Sequence, residues 1–208
     1  MEKEGIQVDQ PEIPPASQSL LSDHAKIELL TEKFEEVLRI IGLDLEDDSL
    51  RETPGRIARM YLNEIFRGVN PKNKPKITLF ENPYGYHSPL LEMNIPFTSF
   101  CEHHFVPITG KANLAYIPKA KVIGLSKLHR LVDYHARRPQ VQERLTMQIA
   151  YDLRDCLQSE DVGVVLQASH SCISCRGVEH QGSSTITSLF LGSLNTNEEI
   201  RKILFGKG

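Results

Sequence analysis

Apolar positions near the start of the chain recur at helical spacing. Ile27, Leu30, Phe34, Leu38 and Ile41 form one stripe. Lys26, Glu32, Lys33, Glu35, Glu36 and Arg39 fill the other faces. The pattern predicts an amphipathic helix from about Leu20 to Ile41, stopped by Gly42. A second helix is expected from Thr53 and Pro54, with Thr53 as cap and Pro54 in the first turn. Ile57, Tyr61 and Ile65 make its stripe, and Gly68 ends it. The period then shortens. Lys76–Phe80, Leu90–Phe100 and Asn113–Pro118 read as strands, with a turn at Thr109-Gly110-Lys111. The last two are expected to form an antiparallel pair.

Helical spacing returns after Gly124. Ser126 is the expected cap, Leu128, Leu131, Val132 and His135 the inner stripe, and Pro139 the stop. The next helix is expected over Val141–Leu157, with Leu145, Ile149, Leu153, Cys156 and Leu157 inward. Val162–Ser169 and Gly177–Leu191 read as strands, and Asn197–Leu204 as a short closing helix. Segregated helices beside neighbouring strands imply an α+β domain with an antiparallel sheet. Residues 1–18 carry Pro11, Pro14 and Pro15 and little apolar mass, which reads as a disordered tail. Residues 19–70 form an N-terminal helical region, and residues 71–208 the main domain.

Composition narrows the function classes. A formal net charge of -3 offers no global basic field for nucleic acid, so an anion site must come from local Arg and Lys. No run of about 18 apolar residues is present, so no membrane span is expected. The polar start, Met1 to Gln10, lacks the apolar core of a signal peptide, and a cytoplasmic protein is expected. Four cysteines in 208 residues are too few for a disulfide scaffold.

Their company is more telling. Cys101-Glu102-His103-His104-Phe105 joins a thiol to two imidazoles, and His170-Ser171-Cys172-Ile173-Ser174-Cys175-Arg176 adds two thiols and a third imidazole. Cys101 and His104, three apart, reach one ion from a tight turn. Cys172 or Cys175 supplies a second thiolate, a set that suits zinc. Three ligands leave a position open for water, as in catalytic sites. If both Cys172 and Cys175 ligate, the shell closes as a structural Cys3His site. On an extended strand His170 and Cys172 face one side, and Cys175 the other. His103 and His170 are candidate proton carriers or, failing that, ordinary surface histidines. On spacing alone Arg56 and Arg59 read as a solvated basic edge, and Cys156 as a small packing residue. Zinc nucleobase deaminases use similar ingredients. They place a catalytic Glu two residues after the first ligand, where this chain has His103, and a Pro where it has Ser171.

The motifs in order resemble the GTP cyclohydrolase I family. They are Cys101–Phe105, Gly124-Leu125-Ser126-Lys127, the run from Arg138 to Thr146, and His170, Cys172, Arg176 and Gly177. Upstream, Asp48-Ser49-Leu50, Glu52-Thr53-Pro54 and Arg56 fit as well, so the likeness runs from about Phe34 to Leu204. The resemblance implies the tunnelling fold, an antiparallel sheet with helices on one side and an N-terminal helical extension. It implies hydrolysis of GTP to 7,8-dihydroneopterin triphosphate and formate, the entry to folate or tetrahydrobiopterin. It implies a homodecamer of two pentamers with active sites between subunits. By the same resemblance zinc sits on Cys101, His104 and Cys172, and His103 and His170 move protons. Glu143 holds the guanine edge, whose N1 and 2-amino protons suit a carboxylate. Ser126 and Lys127 lie near ribose and triphosphate, and Arg130, Arg176, Arg56 and Arg59 bind phosphates. Arg59 stands where some relatives have Lys. Cys175 departs from the usual Ala or larger apolar residue. A tunnelling-fold nitrile reductase uses a catalytic Cys without this trio, and a structural-zinc pterin binder would close the shell; both remain alternatives at this point.

Overall fold

The computed structural model describes residues 21–206. The expected tail over 1–18 and the expected start at Leu20 lie outside them. Helix α1 spans Asp23–Ile41, and the Ser22 hydroxyl caps it by accepting from the Ala25 N–H at 3.2 Å. Gly42 ends it at φ 97, where its N–H meets the carbonyls of Leu38 and Arg39. Phe34 and Leu38 face inward, and Phe34 meets Tyr61 with ring centroids 5.4 Å apart. Ile41, the last residue of the helix, departs from its expected inward place and is 67% exposed.

Helix α2 spans Thr53–Met60. Glu52, not Thr53, is its N-cap, and Pro54 lies inside the first turn. The chain continues through a wide helical turn over Tyr61–Ile65 and a tight one over Arg67–Val69. Gly68 is pinned to the main domain there. Its N–H donates to the Arg137 carbonyl at 2.8 Å, and the Gly68 carbonyl accepts from Arg138 Nε at 2.8 Å. A Cβ at this position would lie 2.2 Å from the Tyr134 carbonyl oxygen, so only glycine fits.

The remaining elements are β1 (Leu79–Glu81), β2 (Leu90–Cys101), β3 (Pro107–Tyr116), β4 (Lys121–Ile123), α3 (Leu125–Ala136), β5 (Pro139–Gln140), α4 (Gln142–Leu157), β6 (Val162–His170), α5 (Ser171–Ser174), β7 (Thr185–Phe190) and α6 (Glu198–Leu204). β1 and β4 form a small antiparallel pair. The main sheet has the order β5-β2-β3-β6-β7. It is antiparallel except for β5, which runs parallel to the end of β2. Helices α3 and α4 cover one face, where Leu128, Leu131, Leu145, Ile149 and Leu153 pack against Ile95, Leu114, Val164 and Leu166. Toward one end of the other face, α6 contributes Leu204 to a smaller cluster with Ala115, Val165 and Phe190. This is the α+β arrangement expected from the element order.

Several local expectations change. Thr109-Gly110-Lys111 is no turn but the middle of β3, paired on both sides. Gly110 is there for close approach, since a Cβ would meet the Gln167 carbonyl at 2.2 Å. The first strand is Leu79–Glu81, shifted from Lys76–Phe80. Gly124 rather than Ser126 caps α3, and Ser126 is inside it. That helix ends at Ala136, before Pro139, which starts β5. The final strand is only Thr185–Phe190, because glycines at positive φ, Gly177 and Gly182, keep the preceding residues out of the sheet.

Candidate active site

The two cysteine-histidine segments meet because of strand register. Cys101 is the last residue of β2, and the chain reverses through Glu102, His103 and His104 into β3. Phe105 closes the turn at φ 54, with its N–H on the Cys101 carbonyl at 2.8 Å. Phe105 is seated on Phe66, ring centroids 5.1 Å apart, and Phe66 on Phe100 at 5.8 Å. The N-terminal helical region thereby braces the turn. Across the sheet, Ile108 of β3 pairs with both Ser99 and His170. The end of β6 therefore arrives beside the turn, and α5 folds Cys172 over it.

Ligand atoms of Cys101, His104 and Cys172 all lie within 4.8 Å of one another. Cys101 is buried, Cys172 half-buried and His104 exposed. The Cys101 Sγ is 3.8 Å from His104 Nδ1 and 3.7 Å from His103 Nδ1. Burial, then the neighbouring Cys101 thiol, push the Cys172 thiol above its ordinary range. A divalent cation between the sulfurs offsets both effects, so the donor set fits a thiophilic metal. The segment carrying Cys172 is a helical turn, so the case of an extended strand, with His170 and Cys172 on one side, does not arise. Cys175 ends that turn, exposed and outside the three-residue group.

The first turn of α4 organises the surroundings. Arg144 forms an ion pair with Glu102, and also donates to Gln140 Oε1 at 3.0 Å and the Pro139 carbonyl at 3.1 Å. Glu102 in turn lies 3.8 Å from His103 Nε2. Gln142 Oε1 is 2.7 Å from His170 Nε2. Glu143 is exposed on the same turn, and its charge acts on His170. Burial lowers the His170 pKa and Glu143 partly counters that. Arg176 reaches His104, its Nη1 3.0 Å from Nε2.

Other expected residues lie apart within one chain. Ser126 and Arg130 are exposed on α3 and Lys127 is half-buried there, while Arg56 and Arg59 are exposed on α2. Among the described residues no hydrogen bond or ion pair joins these five to the Cys101 group. Sequence reasoning missed Glu102, Gln140, Gln142 and Arg144. Gln142 left a signal, since it is a polar residue on the stripe that Leu145, Ile149 and Leu153 bury.

Comparison with known proteins follows the same motifs. The profile of the GTP cyclohydrolase I family matches residues 30–207. A GTP cyclohydrolase 1 of Flavobacterium johnsoniae is 47% identical over 184 residues, 88% of this chain and 82% of that protein. One from Mannheimia succiniciproducens is 49% identical over 170 residues, 82% of this chain and 78% of that protein. A solved QueF-like archaeosine synthase in the apo form overlays with a TM-score of 0.41 at 15% identity, over 52% of this chain and 95% of that one. With its profile match and its relatives both running through the cysteine-histidine turn and α5, the chain belongs to the GTP cyclohydrolase I family.

Proposed function

We propose that this chain hydrolyses GTP to 7,8-dihydroneopterin triphosphate and formate, at the entry to folate or tetrahydrobiopterin synthesis. The observation that carries the reading is the meeting of Cys101, His104 and Cys172 within 4.8 Å, in a member of this family. Two thiolates and one imidazole would hold zinc and leave room for water, because Cys175 stays outside the group. Zinc so bound supplies the Lewis acidity that activates water toward C8 of guanine.

The chain's own groups do the rest. Glu143, exposed beside His170, accepts the N1 and 2-amino protons of guanine, which selects it over adenine. His170 and His103 carry protons during opening of the imidazole ring. Arg176 borders the group through His104 and binds phosphate, aided by Ser126, Lys127 and Arg130. Arg56 and Arg59, exposed on α2 with no hydrogen bond or ion pair to the Cys101 group among the described residues, serve a neighbour's pocket. That division supports a homo-oligomer, a decamer of two pentamers, with active sites between subunits. Exposed Leu29, Val37, Ile40 and Ile41 on α1 give such an assembly apolar surface to cover. Residues 19–70 act as the helical extension and 71–208 as the catalytic domain. No helix among the described residues is long and apolar enough to cross a membrane, and a cytoplasmic site of action fits the substrate.

Incubating the purified protein with GTP tests the reading. Formate and, after oxidation, a fluorescent pterin should appear together. GTP left intact by zinc-loaded protein would overturn it.

A further inference from the structure

We propose that Gln142 is a positioning residue that fixes the orientation and tautomer of the His170 ring, with the hydrogen on Nε2 and Nδ1 bare. The inference rests on the proposed role of His170 in ring opening. A hydrogen-bond loop around the Gln142 amide carries it. Gln142 is buried, with 2% of its surface exposed. Thr146 Oγ1 donates to the Gln142 backbone carbonyl at 2.9 Å. With that proton committed, the 2.6 Å contact between the two threonines is Thr187 donating to Thr146. The Thr187 oxygen is then an acceptor for Gln142 Nε2 at 3.1 Å. The same amide nitrogen faces the carbonyls of Thr185 at 3.0 Å and Leu166 at 3.3 Å.

Turning the amide over would set its oxygen against those two carbonyls. Oε1 is therefore the atom 2.7 Å from His170 Nε2. An amide oxygen only accepts, so neutral His170 carries its proton on Nε2. No protein group among the described residues hydrogen-bonds Nδ1. The loop draws on α4, β6 and β7, so three elements hold one imidazole in place.

The test uses zinc-loaded full-length protein with ring-15N-labelled histidine, recorded without GTP. The His170 signals are those lost in His170→Ala. The parent should show Nε2–H and a bare Nδ1, and Gln142→Met a mixture of both tautomers. In steady-state assays with GTP, Gln142→Met should lower kcat about a hundredfold, the usual scale of a general acid-base contribution, with KM changed less than about threefold. The same substitution placed in His170→Ala should cost nothing more, because it acts only through that ring. A parent His170 protonated at Nδ1 overturns the inference with no variant needed. So does an unchanged kcat in Gln142→Met, or a further loss in the double variant. A parent that releases no formate sinks the proposed function instead, while the tautomer measurement, which needs no substrate, still decides this inference.

Discussion

At the scale of single residues, the site depends on side chains that answer one another in pairs. Arg144 is the best example. It spans Glu102, Gln140 and Pro139, and so ties α4 to the turn that carries Cys101 and His104. Arg144→Met keeps length and removes every donor. We expect it to cost about 1.5–3 kcal/mol of stability, the range for hydrogen bonds to a charged group, and to weaken zinc retention. Thermal melting and zinc titration on the same samples check both. An unchanged zinc affinity would mean that the turn holds its shape without α4. Glu143 poses a different case, since its exposed carboxylate is proposed to meet substrate rather than scaffold. Glu143→Gln replaces two acceptors with one acceptor and one donor. A loss of about 2–5 kcal/mol in transition-state binding is expected, read as kcat/KM for GTP. Unaltered kinetics would remove Glu143 from the guanine pocket.

At the scale of elements, apolar stripes made the long helices legible, while two expected caps, Thr53 and Ser126, gave way to Glu52 and Gly124. Leu128, Leu131, Val132, Leu145, Ile149, Leu153 and Leu157 lie in the core as the spacing of α3 and α4 named them, Cys156 is only half-buried, and α6 begins at the expected Asn197, whose side chain caps it by accepting from the Ile200 N–H at 3.1 Å. Gly110 shows why the strands were harder. A glycine between Thr109 and Lys111 has the composition of a turn, yet here it admits a neighbouring strand. Only the sheet reveals that requirement. Gly110→Ala should therefore cost about 1–3 kcal/mol by overpacking, with the damage felt at Gln167 and Ala168. Denaturant unfolding checks this, and a neutral result would show that β3 and β6 separate easily. The Cys101, His104 and Cys172 group was legible in part, because thiols and imidazoles at tight spacing are rare; spacing left Cys172 and Cys175 open, and the family resemblance chose Cys172. Gln142 and Arg144 were not legible, because their partners are distant in sequence and their residue types signal no single chemistry. Cys175 stays outside the group, as it would on an extended strand, although it ends the short turn of α5 instead.

At the scale of the whole molecule, stability and function draw on separate charge clusters. Below the active site Asp152 accepts from His135 Nε2 at 2.9 Å and pairs with Lys74 at 2.8 Å. Burial alone would raise its carboxyl, but these two partners outweigh that and hold it at about 2. The folded value lies below the unfolded one, so the stabilisation is complete above about pH 4 and lost as pH falls toward 2. Burial also lowers the pKa of His135, which adds a loss in the same direction beginning below about pH 6.5. Acid should destabilise the parent, and Asp152→Asn should remove about 2 kcal/mol at neutral pH and flatten the acid limb of the melting curve. An acid limb of equal slope in both proteins would assign it to other groups.

The central claim is that three side chains, and not four, hold zinc for hydrolysis of GTP. Zinc per chain and formate released per GTP consumed, measured on the same preparations, test it most directly. The parent should carry one zinc per chain and release one formate per GTP. Cys172→Ser should lose both, and Cys175→Ser should keep both. Zinc retained in Cys172→Ser, or lost in Cys175→Ser, would contradict the account.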